Sequence, residues 1–370
     1  MKQWYTEQAS AIDSKLIKQA QAYQAILTKP QGSLGQLETI AEQFCAWQGT
    51  LKPSLNNIKI VVFAGDHGVY DQGVSAFPQA VTVQMITNFL EGGAAISVLS
   101  RDLLADFSVA NMGTALPLPD NYTQHPQLLN IDIATGTADL SLQPAMTDDE
   151  LSQALSAGRS CVDVCAETHT ETYVEPHVKM PVTNSRTDLF IGGEMGIGNT
   201  TSASAIYAAL LSLSPAEVVG PGTGVDADGL RRKQRAVEKA LACHHAVLDK
   251  PYDVLRCLGG LEIAGLVGAY ISAAQKGIPV LVDGFICTAA ALIAVKLNES
   301  VRDWLLFSHQ SAEPAHIIAL DALRAEPLLQ LGLRLGEGSG AALAVPLLKS
   351  ALSLHNNMAT FTAAGVNEKV

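Results

Sequence analysis

Five short runs of β-branched and other apolar residues recur along the chain, and each ends in a polar residue, usually beside glycine. The runs are Ile58–Ala64, Phe107–Ala110, Asp188–Ile191, Pro279–Val282 and Trp304–Phe307. Helical patterns lie between or after them, at 79–90, 148–166, 200–213, 229–247, 261–275, 286–297 and 314–325. Strands that alternate with helices predict βαβ units. We therefore expect an α/β fold with a doubly wound, mainly parallel sheet flanked by helices.

Polar side chains stand where the predicted strands stop. They are Asp66, Asn111, Glu194, Asp283, and Ser308 or His309. In open α/β sheets, ligands bind beyond the carboxyl ends of the strands. We expect most of these residues to line one crevice, with Asp283 among the substrate contacts.

The two ends of the chain lack strand patterns. Residues 1–50 have a helical pattern that is broken at Lys29–Gly35, and the chain from Ala341 is helical to about Thr362. The sequence thus predicts a small helical subdomain made of 1–50 and 341–370. It would lie beside an α/β nucleotide-binding domain over 51–340.

Composition and charge exclude several classes of protein. Hydrophobic residues make up 48% and charged residues 16%, which argues against extensive disorder. The net charge is −12, and one basic cluster, Arg231–Arg235, does not make a nucleic-acid-binding face. The apolar stretches 263–274 and 284–295 are too short for a membrane span of about 20 residues. We expect a cytoplasmic protein that acts on small molecules, with no nucleic-acid or membrane partner.

The sharpest local motif is a glycine-rich turn over Gly192–Thr201, between a predicted strand and a predicted helix. Glycines admit a ligand close to the backbone, and a helix N-terminus attracts anions, so the motif favours phosphate binding. It is neither a Walker A loop nor a dinucleotide turn. The alternative is a plain turn capped by Asn199 or Thr200. The candidate contacts are Glu194, Gly196, Ile197, Gly198, Asn199 and Thr200.

A second glycine-rich loop, Gly220–Asp226, precedes the helix that carries Lys233. Gly222 and Thr223 are candidate ligand contacts in this loop. The charge of Lys233 could offset a phosphate, although a solvated helix face would also explain a lysine at this position.

Glu337 stands between two glycines in Leu335–Gly340. Such a carboxylate can serve as a general base once desolvation has raised its pKa. A solvated surface turn explains the same pattern, so both interpretations stay open at this point. The neighbours Asp66 and His67 lack a third ligand at metal spacing, and we expect no metal site.

Taken together, these segments resemble the nicotinate-nucleotide–dimethylbenzimidazole phosphoribosyltransferase family over nearly the whole chain. The matching stretches occur in the family's order, and include Lys29–Glu38, Ala64–Val69, Gly73–Thr82, Gly193–Thr201, Gly259–Gly265, Pro279–Phe285, Ser308–Glu313 and Arg334–Leu343. The resemblance implies transfer of the phosphoribosyl group of nicotinate mononucleotide to 5,6-dimethylbenzimidazole. The products would be α-ribazole 5′-phosphate and nicotinate, formed with inversion at C1′. It also implies a homodimer without cofactor or metal.

The resemblance assigns roles to individual residues. It implies that Glu337 is the general base and that Lys233 lies on the phosphate side. Ser311 resembles a phosphate contact that could be given across a dimer interface. The stretch Phe77–Met85 resembles the wall that meets the benzimidazole. The expected substrate contacts on the base side are Phe77, Gln84, Met85 and Leu335.

Two alternatives remain from the sequence. The chain could be a non-catalytic nucleotide-binding protein on the same fold, although such a protein has no use for a bare carboxylate facing an uncharged base. It could also be the same type of enzyme with adenine or another base as acceptor.

Overall fold

A six-stranded sheet forms the centre of the computed structural model, which describes residues 3–163, 186–222 and 224–367. The strands are β1 (Ile58–Gly65), β2 (Asp106–Gly113), β3 (Leu128–Asn130), β4 (Leu189–Met195), β5 (Val280–Val282) and β6 (Leu305–Phe307). They pair in the order β3-β2-β1-β4-β5-β6, and each of these pairings is parallel. The predicted α/β class with a parallel sheet is confirmed.

Helices connect and cover these strands. They are α1 (Ser14–Ala25), α2 (Gln36–Gln48), α3 (Ala80–Leu90), α4 (Ala95–Leu103), α5 (Asp148–Asp163), α6 (Asn199–Leu211), α7 (Pro215–Val218), α8 (Ala227–His244), α9 (Pro251–Leu258), α10 (Leu261–Gln275), α11 (Phe285–Leu297), α12 (His316–Ala322), α13 (Ser339–Asn357) and α14 (Phe361–Ala364). Short 3₁₀ segments lie at Trp4–Thr6, Gly68–Gln72, Asp120–Tyr122 and Glu299–Trp304. All seven predicted helices in the α/β region are present, within a few residues of the predicted bounds.

The sequence pattern missed β3, α4, α7 and α9. β3 is a three-residue strand at the edge of the sheet, and it pairs on one side with β2. Its residues are half-buried or exposed, so they carry no long apolar run. A short edge strand is held by its neighbour rather than by its own sequence.

The strand order reverses beside β1, and this reversal places the candidate site. The chain runs outward from β1 to β3, then returns to pair β4 with the other side of β1. A crevice opens at such a point, beyond the carboxyl ends of the strands.

The apolar stretches within α10 and α11 form buried helices, as predicted. Every residue of α10 from Leu261 to Ala274 is buried, and α11 is buried from Phe285 to Ala294. Within the described residues, no helix has the length and apolar character that crossing a membrane requires.

The two ends of the chain contact each other. Leu27 and Thr360 form an antiparallel bridge, and the side chains of Gln24 and His355 are hydrogen-bonded at 2.8 Å. Phe44 of α2 and Leu348 of α13 belong to the same buried apolar cluster as the sheet. The division into a terminal subdomain and an α/β domain therefore stays a prediction.

Candidate active site

A cavity of about 710 Å³, including its open mouth, lies at the carboxyl ends of β4, β5 and β6. Three of the polar residues predicted from strand ends line it: Glu194, Asp283 and His309. The remaining lining residues are Met195, Gly196, Ile197, Asn199, Thr200, Gly222, Gly284, Phe285, Ile286, Cys287, Ser311, Glu313, Arg334, Leu335, Gly336 and Glu337. Both predicted glycine-rich loops and the Glu337 turn thus meet at one site.

Asp66 and Asn111, the other two strand-end positions, are not among these lining residues. The Asp66 carboxylate accepts hydrogen bonds from the Thr82 hydroxyl at 2.6 Å and from the Ala115 backbone at 2.9 Å. The Asn111 amide donates to the Asn130 side chain at 2.7 Å. These two side chains instead hold the segments around β1 and β2 together.

The turn that carries Glu337 has an unusual backbone. Glu337 has φ 65°, between Gly336 at 89° and Gly338 at 85°. A non-glycine residue in this left-handed region is uncommon and frequently marks a functional site. A Cβ on Gly193 would lie 2.2 Å from the Glu337 carbonyl oxygen, so glycine in β4 allows the turn to lie against the sheet.

Asp283, at the end of β5, holds this turn in place. Its carboxylate accepts hydrogen bonds from the backbone of Gly338 at 3.2 Å and of Ala341 at 2.9 Å. Burial raises the pKa of Asp283, while the charge of His309 opposes the rise. Asp283 was predicted to contact substrate. It lines the cavity, but both of its oxygens already hold the start of α13.

The Glu337 carboxyl group is buried and incompletely paired. The residue is 7% exposed, and its Oε2 atom has no hydrogen-bond partner among the described residues. Burial raises the pKa of Glu337, the Ile96 backbone at the start of α4 opposes this rise, and the charge of Asp283 adds to it. The structure therefore excludes the solvated surface turn. It leaves a buried acceptor atom whose hydrogen bond a ligand with an N–H or O–H group would satisfy.

Glu194, at the end of β4, lies beside the Glu337 turn, since a Cβ on Gly336 would be 2.3 Å from its Oε1 atom. It is 7% exposed, and the Asn199 amide donates a hydrogen bond to its carboxyl group. Burial raises the pKa of Glu194 to about 8, and the charges of Glu262, Asp283 and Glu337 add to the rise. At neutral pH Glu194 therefore holds a proton, and the two glutamates can take different roles.

The raised pKa of Glu194 predicts a pH-dependent stability. A carboxyl group whose folded pKa rises from 4.5 to about 8 stabilises the fold fully below pH 4.5, and loses this contribution as the pH rises to 8. Glu194→Gln cannot ionise. We expect its Tm, relative to that of the unmodified protein, to increase by several degrees between about pH 5 and pH 8.

Differential scanning calorimetry of both proteins across this pH range measures the difference. Glu238→Gln, at an exposed position of α8, is the matched control and should show no such trend. A constant Tm difference between Glu194→Gln and the unmodified protein would contradict the buried, protonated state of Glu194.

The other end of the cavity is built from α6, α8 and the loop around Gly222. Lys233 is 1% exposed, which excludes the alternative of a solvated helix face. Its Nζ donates hydrogen bonds to the Thr200 hydroxyl at 2.9 Å and to the Gly220 carbonyl at 3.1 Å. Burial lowers the pKa of Lys233 to about 8, although the charge of Glu313 opposes this. Lys233 lies directly behind the cavity-lining residues Thr200 and Gly222 rather than in the lining itself.

Thr223 lies outside the described residues. Gly198 is not a lining residue, and a Cβ on it would lie 3.2 Å from the Cβ of His67. With φ 102°, Gly198 makes the sharp bend into α6. Ser311 lines the cavity of its own chain, and its backbone N–H donates to His316 at 2.7 Å.

The predicted wall around α3 adjoins the site without lining the cavity described above. Phe77 is 47% exposed, Gln84 is exposed and Met85 is half-buried. The helix is nevertheless tied to the site, because the Ile197 backbone N–H donates to the Thr82 hydroxyl at 3.2 Å. Contacts between these three side chains and a base stay a prediction.

Several residues of the site were missed by the sequence reasoning. Thr82 connects α3 to the glycine-rich loop, and His316 positions Ser311. Glu313 and Arg334 line the cavity. The last two lie within the stretches quoted for the family resemblance, but their chemistry alone did not indicate a role.

His67, considered above as a possible metal ligand, belongs to a buried hydrogen-bonded group. Its Nε2 is 2.7 Å from Glu262, and its Nδ1 is 3.0 Å from the Ser202 hydroxyl. Among the described residues, no group of three or more His, Cys, Asp or Glu side chains could hold a metal ion.

The chain is similar to known phosphoribosyltransferases along almost its whole length. A family model described as phosphoribosyltransferase matches residues 9–175 and 177–366. The nicotinate-nucleotide–dimethylbenzimidazole phosphoribosyltransferase of Pseudomonas putida (strain W619) is 50% identical over 366 residues, covering 99% of this chain and 98% of that protein. The protein of the same name from Ectopseudomonas mendocina (strain ymp) is 51% identical over 367 residues, covering 99% of each.

The comparison extends to solved structures. A crystal structure of nicotinate-nucleotide–dimethylbenzimidazole phosphoribosyltransferase from Thermus thermophilus superimposes with a TM-score of 0.86 at 43% identity. The alignment covers 97% of this chain and 100% of that one. The similarity thus includes the strands, loops and terminal helices that surround the cavity.

Proposed function

Since the chain belongs to the nicotinate-nucleotide–dimethylbenzimidazole phosphoribosyltransferase family, it is a phosphoribosyltransferase, and we propose that its donor is nicotinate mononucleotide. The acceptor is 5,6-dimethylbenzimidazole, and the products are α-ribazole 5′-phosphate and nicotinate. The observation that best supports catalysis concerns Glu337, a residue of the cavity lining, whose buried Oε2 atom has no hydrogen-bond partner among the described residues.

The proposed reaction is a direct displacement at C1′ of the ribose. The lone pair of one benzimidazole nitrogen forms the new bond to C1′, while the bond to the pyridinium nitrogen breaks and leaves its electron pair on nicotinate. Glu337 accepts the proton from the other benzimidazole nitrogen, so no cationic product forms. Attack opposite the leaving group inverts the configuration from β to α. The protein contributes orientation and general-base help.

Glu194 has a separate role in this proposal. Because burial raises its pKa to about 8, it is neutral during catalysis near pH 7 and can donate a hydrogen bond to a ribose oxygen. No side chain among the described residues donates a hydrogen bond to the Oε2 atom of Glu337. Its raised pKa makes the ionised Glu337 a stronger base than a free glutamate.

The donor phosphate is proposed to bind where α6 begins, close to Thr200, Gly222 and Ser311. Lys233 supports this end from behind with a positive charge. A helix N-terminus and a buried cation both favour an anion. The homodimer and the cytoplasmic location belong to the same proposal, and light scattering of the purified protein measures its oligomeric state.

The test of function is a product analysis. The protein is incubated with nicotinate mononucleotide and, in parallel, with 5,6-dimethylbenzimidazole, adenine or another benzimidazole, and the nucleotide products are identified by mass. We expect α-ribazole 5′-phosphate and nicotinate in equal amounts. Preferred use of adenine would change the acceptor, and donor binding without any product would indicate a nucleotide-binding protein instead.

We expect the activity to survive metal removal. The pyridinium group of the donor is already a good leaving group, so the displacement has no need of a Lewis acid. Initial rates before and after dialysis against EDTA measure the effect and should be equal. Loss of activity that Mg²⁺ or Zn²⁺ restores would contradict this mechanism, and would make Asp66 and His67 candidate ligands again.

A further inference from the structure

A carboxyl group occupies the end of the cavity where the donor phosphate is proposed to bind. Glu313 lines the cavity and is 7% exposed. Its Oε2 atom lies so close to Gly220 that a Cβ on that glycine would be 1.9 Å away. The Gly222 backbone favours the ionised form of the same carboxyl group. Glu313 therefore lies against backbone that an anionic ligand at this end of the cavity would also contact.

The charged groups that face Glu313 come from two other segments. Lys233 lies on α8, and Arg334 lies on the segment that leads into the Glu337 turn; both charges favour the carboxylate. Burial has the larger effect and raises the pKa of Glu313. His316, on the helix that follows Glu313, is neutral, because burial lowers its pKa to about 3. Glu313 is thus favoured in its neutral form by burial, while Lys233, whose pKa burial lowers to about 8, can also change its charge when an anion binds. Substitution of Glu313 separates the two groups.

The ionised carboxylate of Glu313 and the donor phosphate cannot both bind at this end of the cavity unless one of them loses its charge. A carboxylate and a phosphate would compete for the same backbone N–H and for the charge of Lys233, and they would repel each other in a site that is mostly shielded from water. A protonated carboxyl group removes the repulsion and gains an O–H donor. The surroundings of Glu313 already favour its neutral form more than water does.

We propose that Glu313 determines specificity for the phosphorylated donor by acting as an anion placeholder that takes up one proton when the 5′-phosphate binds. In the free enzyme the Glu313 carboxylate interacts with the backbone N–H of Gly222. On donor binding, a proton from solvent converts it to the acid, whose O–H donates to a phosphate oxygen. The proton returns to solvent when the nucleotide product leaves. This inference rests on the proposed donor.

The test is isothermal titration calorimetry of the whole protein with nicotinate mononucleotide, in buffers of different ionisation enthalpy at about pH 8. A phosphate ester is doubly ionised in solution at that pH, since its second pKa is about 6. We expect a net uptake of up to one proton per site for the unmodified protein. Glu313→Gln should bind the donor with this uptake lost. Glu326→Gln, at an exposed position, is the matched control and should keep it.

A second ligand keeps the test independent of how well Glu313→Gln folds. Nicotinate riboside lacks the phosphate and should bind the unmodified protein with no proton uptake. Equal uptake with both ligands, equal uptake by Glu313→Gln, or no uptake with nicotinate mononucleotide would each overturn the role of Glu313. Failure of the unmodified protein to bind nicotinate mononucleotide at all would instead contradict the proposed donor, on which the inference depends.

Discussion

Glu337→Gln is expected to lower kcat by about 100-fold or more, the usual range for loss of a general base. Glutamine keeps the shape of the side chain and its ability to hydrogen-bond, but it cannot accept the benzimidazole proton. Donor binding should change little, because Glu337 is proposed to take a proton from the acceptor rather than to contact the donor phosphate. Steady-state kinetics with each substrate varied in turn separates kcat from the two KM values.

The pH profile gives a second readout of the same residue. Glu337 must be ionised to act as a base, so kcat/KM should fall as the pH drops through its pKa. Burial raises that pKa, and the acid limb should therefore lie above the range of a free glutamate, near 4.3. Glu337→Gln should lose this limb.

The matched control for the base is Glu194→Gln. It removes a second carboxyl group from the lining of the same cavity, and burial raises the pKa of that group to about 8. Its effect on kcat should be much smaller than that of Glu337→Gln. Near-normal kcat in Glu337→Gln, combined with abolished activity in Glu194→Gln, would reverse the roles given to the two glutamates.

Lys233→Ala is expected to raise the KM for nicotinate mononucleotide by about 100-fold, because loss of one partner from a buried charged contact weakens binding strongly. The substitution removes the cation behind the proposed phosphate site. It also leaves the Thr200 hydroxyl and the Gly220 carbonyl without their donor. The KM for the benzimidazole should change far less, since the acceptor is proposed to bind beside Glu337.

Lys239→Ala is the control, because Lys239 lies on the same helix at an exposed position. It should leave both KM values unchanged. An unchanged donor KM in Lys233→Ala would remove Lys233 from the donor site. An equal rise in both KM values would show that the lysine supports the fold of the site rather than the phosphate in particular.

The strands and buried helices could be read from the sequence because local pattern and tertiary role agree there. β1 is buried along all eight of its residues, and its apolar run predicts a central parallel strand. α10 and α11 are apolar on every face, and this pattern predicted their burial. The edge strand β3 was missed because its strand conformation depends on pairing with β2 rather than on the sequence of its own three residues.

By itself, the sequence determined the α/β class, the positions of both glycine-rich loops and the family to which the chain belongs. These features depend on local sequence patterns and on long stretches that resemble the family, and both can be recognised in the sequence alone. The tertiary structure alone decided which residues are buried and what faces them. Whether Glu337 is a solvated turn or a buried acceptor depends on Gly193 and Asp283, which are distant in sequence. Burial and charge set the pKa of a side chain, and both arise from packing between such distant segments.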